Sequence, residues 1–84
     1  MTAFDSIEKA KKMWALILPE ITPPDDRTFY RWLMAFSIEY LERAITRVVW
    51  RFREEKTPDP IKVYKFVTSS LIWFREKAEK EVAQ

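Results

Sequence analysis

The sequence predicts an all-α fold, a compact bundle of three to four helices, and three observations carry that expectation. Apolar residues recur at three- and four-residue spacing through most of the chain, with no strand-like alternation of any length. Proline and capping residues cut this pattern into segments at 19–26, PEITPPDD, and again at KTPDPI. Glycine is absent, so the helices must stop at proline or at polar residues and without a left-handed glycine cap.

The first helix is expected over about residues 5–18. Asp5 as N-cap, with Glu8 three residues on, has the reciprocal acceptors of a capping box and puts carboxylates in the positive first turn. Ile7, Ala10, Trp14, Ile17 and Ile21 come at helical spacing, Met13 and Leu18 widen the stripe, and Lys9, Lys11 and Lys12 lie toward the other side. Pro19 stops the helix, because it pushes Leu18 out of the α region and removes a backbone donor. The segment 19–26 is then a stiff connector, and its two Asp residues can cap the next helix.

Residues 27–56 contain neither Gly nor Pro. Phe29, Trp32, Leu33 and Phe36 form one apolar stripe, after which the register changes to Ile38, Leu41, Ala44, Ile45, Val48, Val49 and Phe52. Ser37 is placed to cap the second run. Two helices, about 26–36 and 38–55, are therefore expected in preference to one long kinked helix, whose length would be unusual. Pro58 ends that run, and Asp59 and Pro60 read as the N-cap and first position of a last helix over about 60–82. Val63, Val67, Ser70, Leu71, Phe74, Ala78 and Val82 line one of its faces, while Glu76–Lys80 and Lys77–Glu81 are spaced for ion pairs. The expected core is Trp14, Trp32, Leu33, Phe36, Leu41, Ile45, Val48, Phe52, Val67, Leu71 and Phe74.

The 84 residues are read as a single small domain, 1–84, since a chain of this length buries only about 60–65% of its unfolded surface and cannot sustain two cores. An apolar share of 48%, with four Trp, three Tyr and six Phe, supplies that one core. The absence of Cys and His excludes disulfides and thiolate metal sites and removes the commonest metal ligand and general base. The adjacent carboxylates Asp25–Asp26 and Glu54–Glu55 diverge by about 100° on a helix and do not perturb one another. Without Gly there is no phosphate-cradling loop and no nucleophile elbow. The chain is thus expected to be non-enzymatic, with no catalytic residue, cofactor, metal or small-molecule substrate. Its start has early acidic residues, no cleavage site and no run of about 18 apolar residues, which points to the cytoplasm and away from a membrane partner.

Charge is unevenly spread. The formal net charge is only +2, yet from residue 43 to 65 seven basic residues face three acidic ones, a local +4. Arg43, Arg47 and Arg51 recur every four residues in a row about 12 Å long at a 1.5 Å rise per residue. Glu39 and Glu55 continue that spacing and are expected to pair with Arg43 and Arg51, leaving Arg47 without an intrahelical partner. Trp50, Phe66 and Trp73 each fall one position off a buried stripe, where a large aromatic either completes a small core or anchors a partner.

These features support two functions from different classes. The leading expectation is a protein–protein adapter or small regulatory protein that binds a protein partner or itself, as a homodimer, through Trp50, Phe66 and Trp73. The alternative is a nucleic-acid-binding module that contacts phosphates through Arg43, Arg47, Arg51, Arg53, Lys62 and Lys65. DNA-binding of the helix–turn–helix kind is poorly supported. A helix that opens Ile61, Lys62, Val63, Tyr64, Lys65 can hold phosphates but reads little sequence.

Overall fold

Trp14 is the side chain on which three of the four helices converge. The computed structural model describes residues 3–83, and side chains from 4 to 81. Within it α1 spans Ala3–Ile17, α2 Asp26–Ala35, α3 Ile38–Arg51 and α4 Pro60–Ala83. The Trp14 ring, 1% exposed, meets Phe29 edge-on at 6.0 Å, stacks on Trp32 at 6.3 Å and tilts against Tyr64 at 5.9 Å. Its indole N–H donates to the Ile21 carbonyl at 2.9 Å, so this large buried ring is also satisfied as a donor.

The junction between α2 and α3 shows why the central stretch is two helices. Phe36 is extended at φ −138° and ψ 156°, and Ser37 comes next at φ −74° and ψ 159°. The Ser37 hydroxyl then accepts from the Tyr40 amide at 3.4 Å, capping α3 as its sequence position suggested. Asp25 caps α2 by accepting from the Thr28 amide at 2.9 Å, and Asp59 accepts from the Ile61 amide at 3.0 Å where Pro60 opens α4.

Helix ends differ from expectation in two places. The first helix begins at Ala3, so Asp5 lies inside its first turn, where a carboxylate still meets the positive helix end, and is not the N-cap. The third helix stops at Arg51 and not near 55, with Phe52 turned out of helical geometry at φ −108° and ψ 14°. The four residues after Phe52 are all exposed and offer nothing to bury, so a continued helix would gain no packing there.

The connector is held in place by long-range hydrogen bonds. Besides the Trp14 donation to Ile21, the Tyr64 hydroxyl of α4 donates to the Thr22 carbonyl at 2.6 Å, and Pro24 is buried. Lys11 does not face away from the core with Lys9 and Lys12. It turns toward α2 and pairs with Asp26 at 2.7 Å and Glu8 at 3.4 Å.

The core comprises Ala10, Trp14, Leu18, Phe29, Trp32, Leu41, Ala44, Ile45, Val48, Phe52, Val63, Val67 and Leu71. Phe29, Leu41, Ile45 and Leu71 are essentially fully buried, each contributing about 1.5–3 kcal/mol. Three residues expected in the core, Leu33, Phe36 and Phe74, are only half-buried, and Val49 is 44% exposed. In a bundle this thin, 18 Å in its shortest dimension against 42 and 32 Å, the edges of each apolar stripe reach solvent. Val82 lies outside the described side chains. The helix α3 packs against all three others, with α1 on one flank and α4 on the opposite one. None of the described helices is long and apolar enough to cross a membrane.

Candidate functional site

Arg47 precedes the buried Val48, so at 100° per residue its side chain leaves α3 sideways, toward α4. There its guanidinium carbon lies 5.5 Å from the ring of Phe66, 5.3 Å from Trp73 and 5.7 Å from Phe74. It also donates to the hydroxyl of Ser70 at 3.4 Å, and Ser70 is itself 2% exposed. The row of arginines and the set of aromatics, which the sequence offered as rival sites, thus meet in one seam between α3 and α4.

The seam continues in both directions from Arg47. Toward the start of α3, Arg43 sits 6.0 Å over Tyr40, whose ring stacks on Phe74 at 6.2 Å and 10°. Toward its end, Arg51 lies 5.4 Å from Phe52, which meets Phe66 edge-on at 5.7 Å. On α4, Lys77 reaches 5.1 Å from Trp73, and Trp73 packs edge-on against Phe74 at 5.3 Å. Shallow grooves run along this seam, floored by Trp73 and Phe74 and walled by Arg43, Arg47 and Lys77.

The expected ion-pair face does not form. Neither Glu39–Arg43 nor Arg51–Glu55 comes within ion-pair distance, nor do Glu76–Lys80 and Lys77–Glu81; among the described residues the ion pairs are those of Lys11. Glu55 is carried off the helix by the early end of α3, and Lys77 is turned onto Trp73. Each exposed cation–π contact stabilises by about 0.5–1 kcal/mol, comparable to a surface ion pair, but it leaves the positive charge unneutralised.

Of the aromatics expected to anchor a partner, Trp50 is 68% exposed on the outer ridge of α3, and Trp73 is 49% exposed at the seam. Phe66 is half-buried and packs on the core through Phe52. Lys62 lies one turn before Phe66 on the same flank of α4, whereas Lys65 is displaced around the helix, and Arg53 stands exposed in the turn after α3. Tyr40, Ser70, Phe74 and Lys77 belong to the seam and were not singled out from the sequence as site residues. Their signal was the spacing of Phe66, Ser70, Trp73 and Lys77, one continuous flank of α4.

Away from the seam the fold shifts three protonation equilibria. Hydrogen bonds from Thr28 hold the Asp25 carboxyl below the usual carboxylate value. Hydrogen bonding to Asp26 raises Lys11 above the usual lysine value, and burial, with the charge of Asp25, pushes the Tyr64 phenol up. No group of three or more acidic, His or Cys side chains able to hold a metal occurs among the described residues. Comparison with known proteins finds no matching family model, no similar curated protein and no similar solved structure.

Proposed function

We propose that this chain is a non-enzymatic interaction module that docks a protein partner against the α3–α4 seam. The observation that carries the reading is Arg47 held among Phe66, Trp73 and Phe74 while Trp73 and Trp50 stay exposed. Trp, Tyr and Arg are the residue types that dominate binding energy at protein interfaces. Rings that already order the guanidinium reduce the side-chain entropy lost on docking. The same half-exposed aromatics would be an unrewarded exposure in a chain that bound nothing.

A tagged chain offered to extract of its source cells tests this. A partner retained by the wild type and lost with both Trp73→Ala and Arg47→Ala supports the reading. Retention unchanged in both variants sinks it.

The second reading, contact with the phosphates of a nucleic acid, is favoured by one observation: Arg43, Arg47 and Arg51 lean on rings and, among the described residues, pair with no carboxylate. Fluorescence anisotropy of a labelled single strand separates it from the first. Phosphate contacts make the affinity fall with salt by a slope of about −0.7 per contact, and Arg47→Glu abolishes them. A salt-insensitive association that depends on Trp73 belongs to a protein interface.

A further inference from the structure

We propose that the groove on the other flank of α3, between α1 and α3, is the contact surface for a second copy of this chain. The two copies are related by a two-fold axis running along the groove. Its apolar lining comes from Met13, Leu16 and Ile17 of α1 and Ile38 of α3. Leu16 is 83% exposed beside the half-buried Met13 and Ile17, and Val49, 44% exposed, lies on the same flank of α3.

The rims carry opposite charge. Lys9 and Lys12 stand along the α1 side, Glu39 and Glu42 along the α3 side. Among the described residues no ion pair joins these rims, and none of the four side chains takes part in one. A two-fold axis along the groove lays the lysine rim of each copy against the glutamate rim of the other, with the apolar floors face to face. An isologous contact needs a patch that is complementary to itself, and this charge polarity supplies it. A foreign helix would have to bring both an apolar strip and the matching pair of charge rows; a second copy carries them by symmetry.

The dimensions permit it. A specific interface takes about 800 Å² from each partner. A molecule 42 by 32 by 18 Å in extent, with 6243 Å² of accessible surface, is large enough to yield that area. The groove adjoins the α3–α4 seam at Glu42, which lines both, but its Lys9, Lys12, Leu16 and Glu39 take no part in the seam.

The test is solution mass by light scattering on the intact chain at low salt. At about 100 μM, where a micromolar dimer is formed, the wild type is expected at twice the 10.2 kDa of one chain. A monomer at that concentration overturns the proposal. The acidic-rim variant, Lys9→Glu with Lys12→Glu, and the basic-rim variant, Glu39→Lys with Glu42→Lys, are each expected to dissociate at least about tenfold more readily. All four positions are exposed, and far-UV circular dichroism verifies that each variant is folded. Mixing the two variants in equal amounts should restore a dimer, because each now presents the complement of the other. A dimer indifferent to either pair of substitutions, or two folded monomeric variants that fail to associate when mixed, overturns the proposal. Leu16→Asp should give a folded monomer, and a dimer unchanged by it counts against the groove.

Discussion

The guanidinium of Arg47 and the indole of Trp73 lie 5.3 Å apart across the α3–α4 seam. Twenty-six residues separate them in the chain, and nothing in the local pattern of either helix brings them together. The pair has two consequences: it orders the middle arginine of the row, and it leaves both its charge and much of the Trp73 ring facing solvent.

That pairing is measurable. Arg47→Ala and Trp73→Ala should each cost about 0.5–1 kcal/mol by urea denaturation, and the double variant should cost less than their sum by about 0.5 kcal/mol. Arg47→Lys should recover only part of the coupling, because a compact ammonium cannot lie flat against three rings. Strict additivity of the two alanine variants would mean that the contact is not populated in solution.

The core is centred on Trp14, and truncating that side chain should damage the fold more than losing any seam contact. Trp14→Ala removes contacts to Phe29, Trp32 and Tyr64 and should cost about 3–5 kcal/mol. Against a total of about 4–12 kcal/mol for a chain of this size, that removes about a quarter or more of the stability. Trp14→Phe keeps most of the ring volume but strands the Ile21 carbonyl, a loss of about 1–3 kcal/mol readable as a lower thermal midpoint. Equal midpoints for the Phe variant and the wild type would mean that the indole hydrogen bond adds nothing to stability.

Tyr64 ties α4 to the connector, and its phenol titrates above the ordinary 10.0. A folded-state value raised above the unfolded one means that the neutral phenol's contribution is complete below about pH 10 and disappears as pH climbs through the folded value. The wild type should therefore lose stability on the alkaline side more steeply than Tyr64→Phe, which is less stable at pH 7 by about 0.5–1 kcal/mol. Urea midpoints of both chains between about pH 8 and 11 provide the comparison.

Asp25 behaves with the opposite sign. Thr28 lowers its folded-state value, so its contribution is present above pH 3.8 and is lost as pH falls through the folded value. Asp25→Asn keeps a capping acceptor of similar quality but has no proton to gain. The two chains should match near neutrality, and only the wild type should show this component of acid destabilisation. A variant whose acid profile overlays that of the wild type would exclude Asp25 as the source.

Ser37 ends one helix and begins another. Ser37→Ala should cost about 1 kcal/mol, measured by denaturation, without fusing α2 to α3. The extended backbone at Phe36 and Ser37 is fixed by where Trp32 and Leu41 are buried, and a helix running through would turn one of them out of the core.

Much of the fold was legible in the amino-acid sequence because its signals are local. Pro19, Ser37 and the Asp59–Pro60 pair bound their helices through backbone geometry and capping, which depend on neighbours a few residues away. The early end of α3 was not legible, since it arises from what residues 53–56 fail to bury and not from any stop signal. The site was half legible. Arg43, Arg47 and Arg51 could be placed on one face by spacing alone, and intrahelical ion pairs were the natural expectation for them. Arg43 on Tyr40 and Arg51 on Phe52 are contacts between near neighbours in the chain, whereas the turn of Arg47 toward Phe66, Trp73 and Phe74 depends on the relative placement of two helices.

Periodicity and capping are properties of short stretches of chain, and they were enough to define four helices, their approximate bounds and the apolar stripe each one buries. Three-dimensional packing was needed to settle which stripe edges stay in solvent, that Phe74 and Leu33 remain half-buried, and that the arginines lean on rings in place of carboxylates. Those outcomes depend on how closely α1 and α4 approach α3 from its two flanks, a distance set by the summed packing of all four helices.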